Sequence, residues 1–206
     1  MEKRRVEAFS DGVFAIAMTL LVLAIVRPSV SDPESLASQL RGGWPSYLAY
    51  VTTFLQLAIV WTNHHEVFDH IRRADPWLLL LNNLFLMVVC FSPFSAGIVA
   101  DFLSAGRDET TAVVFFGLTF TLMAVMFSAL WYYAAFGNRL IDPSMRASAA
   151  RITRRFAPGV PIYLLGTAVA LIDPVASLIV FAALALLYAI PYRRDEPPEA
   201  AAAGDA

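Results

Sequence analysis

The sequence predicts an all-α membrane protein with six transmembrane helices per chain, and three observations lead there. Apolar residues make up 58% of the 206 residues and charged residues only 16%, against about 45–50% and about 25% in soluble domains. The apolar residues fall in runs of roughly 20, the length that crosses a bilayer as a helix. The cations are divided unequally between alternate loops.

The first span is expected from about Val6 to Val26, the second over Trp44–Asn63, the third over Trp77–Ala100 and the fourth over Thr110–Phe136. The fifth, Phe156–Ile172, is short and carries Pro158 and Pro161 near its start. The sixth runs over Pro174–Tyr192, with Asp173-Pro174 as the turn between the last two. One long broken hairpin would read the same way in this last region. Trp44, Tyr47, Trp77, Tyr132, Tyr133 and Tyr192 fall near expected span ends, where interfacial aromatics collect.

With both termini on one side, that side holds Lys3, Arg4, Arg5, Arg72, Arg73, Arg139, Arg146, Arg151, Arg154, Arg155, Arg193 and Arg194. The other side holds Arg27, Arg41 and Arg107, a split of 12 to 3. Positive charge stays cytoplasmic, so both termini are expected in the cytoplasm. Residues 1–192 then form one transmembrane domain and 193–206 a Pro-, Glu- and Ala-rich disordered cytoplasmic tail. Lys3, Arg4 and Arg5 before an apolar run also suggest a signal peptide, but Asp11 interrupts the run and the run is too long for one. The first span is expected to be retained. The single cysteine, Cys90, excludes an internal disulfide. No basic tail for nucleic acid is present.

Helical geometry divides the first span into faces. At about 100° per residue, Ile16, Thr19, Leu20 and Leu23 share one narrow stripe. Asp11 lies roughly 140° from Ile16, and Ser10 about 120° away on the other side. The stripe has two readings: a seam for packing or lipid, or a pore lining if symmetry-related copies surround an axis, since hydrophobic constrictions gate by dewetting. Asp11 likewise reads as an ion or proton ligand, or as a structural carboxylate paired between helices.

The end of the second span holds all three histidines, in His64-His65-Glu66-Val67-Phe68-Asp69-His70. The ligand types suit a metal, but the spacing does not: His64 and His65 point about 100° apart, and no His-Glu-x-x-His pattern is present. A hydrogen bond from a histidine to Ser10 or Asp11 is the preferred reading. In the third span Asn82 and Asn83 are costly unless satisfied, and Pro93 is expected to kink the helix. Nucleophile, nucleotide-binding and zincin motifs are absent, so no enzyme is expected. The Thr-Val-Gly-Tyr-Gly filter of ordinary potassium channels is absent too.

Arg5-x-x-x-Phe9-Ser10-Asp11 resembles the first-helix signature of the transmembrane protein 175 family, lysosomal potassium channels of animals and their single-repeat prokaryotic relatives. Trp61-x-x-His64 with Phe68 is similar to its second-helix pattern, and Asn82 with Pro93-Phe94 to its third. The resemblance is detailed over the first half of the chain and covers the second only in layout. It implies a homotetrameric potassium-selective channel in a prokaryotic plasma membrane, with potassium as permeant ion and no cofactor or metal. Ile16, Leu20 and Leu23 would form the constriction, with Thr19 as a polar contributor. Arg5, Phe9, Ser10, Asp11, Trp61, His64 and Asn82 would form a supporting polar network. The doubled His64-His65 is a departure, and His64 is chosen by its spacing from Trp61. The alternative is a proton-coupled transporter or metal-dependent membrane enzyme using Asp11, His64, His65 and Glu66.

Overall fold

The computed structural model describes residues 3–135, 140–141 and 146–189. The tail at 193–206 and the last residues expected in the fourth and sixth spans lie outside them. All regular structure among the described residues is helical.

Helix α1, Lys3–Leu20, buries Val6, Ser10, Phe14 and Ala17, and Leu21 continues that face. The chain then tightens into a 3-10 turn, Leu21–Ala24, and becomes extended at Ile25. A short helix α2, Leu36–Gly42, follows in what was expected to be loop. Ser35 caps it by accepting the Ser38 N–H at 3.2 Å. Helix α3, Trp44–His70, outruns its expected end at Asn63 and carries the histidine cluster on its last two turns.

Helix α4, Pro76–Ala105, starts on the Asp75 cap, whose carboxylate accepts the Leu78 N–H at 2.8 Å. It stops at Gly106, where φ is 63°, a left-handed conformation that glycine adopts without strain. Pro93 lies inside it. Proline has no N–H for the carbonyl four residues back, which is that of Val89. The Ser92 hydroxyl donates to the Val89 carbonyl at 2.7 Å, so the Ser-Pro pair carries its own repair and the helix continues through it.

Helix α5, Glu109–Ala135, carries no charge beyond Glu109. Beyond it lie α6, Arg146–Phe156, α7, Gly159–Val169, and α8, Pro174–Ala189. The expected fifth span is therefore not one helix from Phe156 to Ile172. The chain turns at Ala157-Pro158, and the 11 residues of α7 rise only about 17 Å, short of the roughly 30 Å hydrocarbon thickness. By length and composition Lys3–Ala24, Pro76–Ala105 and Glu109–Ala135 suffice to cross a membrane. Helix α3 is as long as α5 but is diluted by polar residues near its end.

Helix α4 packs against α1, α3 and α5, while α7 and α8 lie against α5 and α3. Gly117 of α5 sits so close to Thr167 of α7 that a Cβ would stand 2.9 Å from the Thr167 Cβ and Cγ2. Buried Gln56 of α3 ties in the last two helices: its amide N–H donates to the Phe181 carbonyl, and Tyr163 donates its hydroxyl to Gln56 Oε1. At the arginine-rich end, Arg155 pairs with Glu66 at 3.0 Å, Trp131 donates to Thr153 at 2.9 Å and Tyr133 donates to Asp75 at 2.7 Å. These contacts fasten α6 to α3 and α5 to the start of α4.

Candidate permeation helix and its polar anchor

Helix α1 presents two unlike faces. Ser10 is fully buried and Phe14, Ala17 and Leu21 nearly so. Ile16, Leu20 and Leu23 are 61%, 44% and 68% exposed, and Thr19 is exposed beside them. The 3-10 turn helps align this second face, because residues three apart eclipse in such a turn and Leu23 is brought over Leu20. Thr19 donates its hydroxyl hydrogen to the Ile16 carbonyl at 2.8 Å. Its oxygen lone pairs thus stay available on the exposed side.

Behind the buried face runs a chain of three hydrogen bonds across three helices. His64 Nε2 lies 2.9 Å from Asn82 Oδ1, Asn82 Nδ2 lies 3.1 Å from Ser10 Oγ, and Ser10 Oγ lies 2.9 Å from the Val6 carbonyl. The direction of every bond follows from the last. A carbonyl only accepts, so Ser10 donates to Val6 and must accept from Asn82. The amide nitrogen of Asn82 therefore faces Ser10, its oxygen faces His64, and His64 donates from Nε2.

The imidazole is walled by aromatic rings. Its centroid stands 4.4 Å from that of Phe68, 5.5 Å from Phe85 and 5.8 Å from Phe14. Sequence reading did not assign Phe14 or Phe85 to this site. The signal was present, because Phe14 follows Ser10 by one turn, Phe68 follows His64 by one turn and Phe85 follows Asn82 by three residues. His65 is exposed, with its ring 6.3 Å from Trp61.

The seven residues grouped as one polar network do not come together within the chain. Ser10, His64 and Asn82 form the buried wire. Trp61 Nε1 donates to Asp11 Oδ1 at 2.8 Å as a separate, more exposed pair. Arg5 is exposed, as is Phe9 at 57%. Their helical angles, about 20° to either side of Ile16, place both on the exposed stripe. Nor do the residues of the transporter or metal reading converge. Asp11 bonds Trp61, His64 bonds Asn82 and Glu66 pairs with Arg155. Among the described residues no three metal-ligating side chains cluster.

The sequence profile of the family described as "Endosomal/lysosomal potassium channel TMEM175" matches residues 5–93. A potassium channel of Streptomyces collinus is 44% identical over 188 residues, covering 91% of each chain. The rat "Endosomal/lysosomal proton channel TMEM175" is 33% identical over 91% of this chain and 37% of its own length. The crystal structure of a lysosomal potassium-selective channel TMEM175 homolog from Chamaesiphon minutus superimposes with a TM-score of 0.83 at 37% identity, covering 91% of this chain and 96% of that one. The chain belongs to the TMEM175 family, a family of ion channels and not of enzymes.

Proposed function

We propose that this chain is a potassium-selective channel of a prokaryotic cell membrane, assembled as a homotetramer with α1 of each copy facing the axis. Each chain crosses the membrane six times with both termini in the cytoplasm. Ile16, Leu20 and Leu23 form stacked apolar rings, and the Thr19 hydroxyl oxygens assist partly dehydrated ions between them. The Ser10–Asn82–His64 wire holds α1 at the rotation that keeps this stripe toward the axis. No carbonyl filter takes part.

The observation that carries this reading is the exposure of three large apolar side chains on one stripe of a helix whose other face is fully packed. Four such stripes around an axis close a hydrophobic constriction of the kind that gates by dewetting. The Streptomyces collinus relative is named a potassium channel and the Chamaesiphon minutus homolog a potassium-selective channel, and both are similar to this chain over nine-tenths of its length.

The test is flux into liposomes from the purified protein and from Ile16→Asn. The wild type passes potassium in preference to sodium. Ile16→Asn raises cation flux several-fold and narrows the potassium-over-sodium ratio, because an amide ring hydrates the constriction. An unchanged ratio and rate would sink the assignment of α1 to the pore. The rat relative is named a proton channel, so a pH-sensitive dye in the same vesicles reads proton entry in parallel.

A further inference from the structure

Helix α4 carries a second face that the fold leaves uncovered. Leu80, Asn83, Met87, Cys90 and Phe94 are all exposed and follow one another at intervals of 3, 4, 3 and 4 residues. That alternation is the seam by which one helix packs along another. Asn83 is its second member and is hydrogen-bonded to no other described residue. It lies about 9 Å along the helix from Trp77 at the expected membrane boundary. An amide at that depth has no water to bond, and its side chain is too short to reach the interface as a lysine does. Covering this seam with lipid leaves the amide unsatisfied, whereas a helix that offers an acceptor satisfies it.

The seam borders α1. On α4 it spans about 80–160° from Asn82, and Asn82 itself bonds Ser10 of α1. About one turn further along each helix, the Phe14 and Phe85 rings stand 6.0 Å apart, so α1 and α4 run in the same direction. Residues equally displaced from the Ser10–Asn82 pair therefore share a depth: Asn83 with Asp11, and Met87 with Ala15. Measured from Ile16, Ser10 and with it α4 lie on one flank of α1, at about +120°. The opposite flank, at about −40° to −100°, exposes Ala8, Gly12, Ala15 and Thr19. A Cβ on Gly12 would meet nothing within 4 Å. At the edge of this flank Asp11 gives Oδ1 to Trp61, and its Oδ2 accepts no hydrogen bond among the described residues.

We propose that the α4 seam of one subunit docks on this flank of α1 in the next subunit, with Asn83 Nδ2 donating to Asp11 Oδ2 across the interface. The proposal rests on the ring of subunits around the α1 stripe proposed above. In a closed ring the two flanks of every chain meet, one from each neighbour. Leu80, Met87 and Phe94 bring bulk to the contact, while Ala8, Gly12 and Ala15 let the backbones approach closely. Asn83 sets the register, the role of a single polar residue in an apolar seam.

Oxidative cross-linking in membranes with copper phenanthroline tests the docking, in a Cys90→Ala background that removes the native thiol. Met87→Cys combined with Ala15→Cys gives covalent dimers, trimers and tetramers on a denaturing gel, and either substitution alone gives monomers. Monomers from the pair overturn the proposal. So do dimers from Met87→Cys alone, because they set two α4 seams face to face. Asn83→Leu reads the amide, as the fraction of intact oligomer on dilution in detergent. It lowers subunit affinity about 3- to 20-fold, the span of interhelical hydrogen bonds measured in membranes, and has no such effect where Asp11→Ala has already removed the acceptor. On a face covered by lipid, leucine is the better residue, so an oligomer unchanged or firmer with Asn83→Leu overturns the docking. Cross-linking needs no ion gradient, so a failed potassium flux assay leaves the docking standing. A missing ladder beside an altered flux in Ile16→Asn overturns the docking and leaves the channel reading standing.

Discussion

Asn82→Leu tests whether the buried wire is a satisfied network or an incidental alignment. Leucine branches at Cγ as asparagine does, so the substitution keeps the branching and removes the hydrogen bonds, although its methyl groups take up more space than the amide. Two bonds are lost, at 2.9 Å to His64 and 3.1 Å to Ser10. Ser10 keeps its bond to the Val6 carbonyl and loses only one donor. His64 fares worse: its Nε2–H is left among Phe14, Phe68 and Phe85 with no acceptor. Interhelical hydrogen bonds in membrane proteins average about 0.6 kcal/mol and reach about 1.7 by double-mutant cycles, while an orphaned buried donor costs about 1–3 kcal/mol. Together these give roughly 2–4 kcal/mol. At about 2–4 °C per kcal/mol for a chain of this size, the melting temperature in detergent falls on the order of 10 °C. Adding His64→Leu removes the orphan and recovers about half of the loss, because replacing both partners by apolar groups is nearly neutral. A drop under about 3 °C for Asn82→Leu, or a double variant no more stable than the single, refutes the reasoning.

Two further substitutions probe the scaffold. Ser92→Ala leaves the Val89 carbonyl opposite Pro93 without a donor and lowers stability by about 1–2 kcal/mol in a thermal assay. Gly117→Ala sets a methyl group against Thr167 and costs about 1–3 kcal/mol, seen as a lower melting temperature, whereas Gly97→Ala, where a Cβ meets nothing within 4 Å, does not.

The helical class and the stripe of α1 were legible because both follow from geometry that a single helix carries with it. Angles along α1 need no partner, and the exposure of Ile16, Leu20 and Leu23 falls where those angles put it. The same arithmetic places Arg5 and Phe9 on the exposed stripe. Grouping them with Ser10 and Asp11 followed the sequence motif instead of the wheel. Gln56 and Tyr163 were illegible as a pair: 107 residues separate them, and an angle names a face without naming what covers it. Helix α6 was readable in principle, since Ala149, Ile152 and Phe156 recur at helical spacing. Its arginines gave it the composition of a cytoplasmic loop. The early end of α7 has a plainer cause, because Pro158 closes one helix and the turn at residues 170–173 closes the next, where the Asp173 carboxylate caps α8 by accepting the Ala176 N–H at 2.9 Å.

The position of Arg5 sets a condition on the proposed assembly. It lies on the stripe with Phe9 and Ile16, it is exposed, and among the described residues it has no ion-pair partner. Four α1 helices facing one axis would then bring four guanidiniums to the mouth of a cation pore, where like charge repels the permeant ion. A carboxylate beside each would relieve that repulsion. Asp11 is the candidate on the same turn-and-a-half of helix: Trp61 occupies only Oδ1, and its angle, about 120° from that of Arg5, turns it away from its own arginine and toward a neighbouring copy. In the proposed tetramer Arg5 of one subunit would then pair with Asp11 of the next. The prediction is non-additivity. Arg5→Ala and Asp11→Asn each weaken the tetramer, followed as the fraction of intact oligomer on heating, and the double variant is no weaker than either. Asp11→Asn is the informative partner because an amide keeps an oxygen for Trp61 and removes only the charge. Effects that add within about 0.5 kcal/mol mark independent sites and would break the pairing. So would a rise in potassium flux for Arg5→Ala with the oligomer intact, since that is the behaviour of an unneutralised barrier. In either case the rotation of α1 that requires this pairing is wrong.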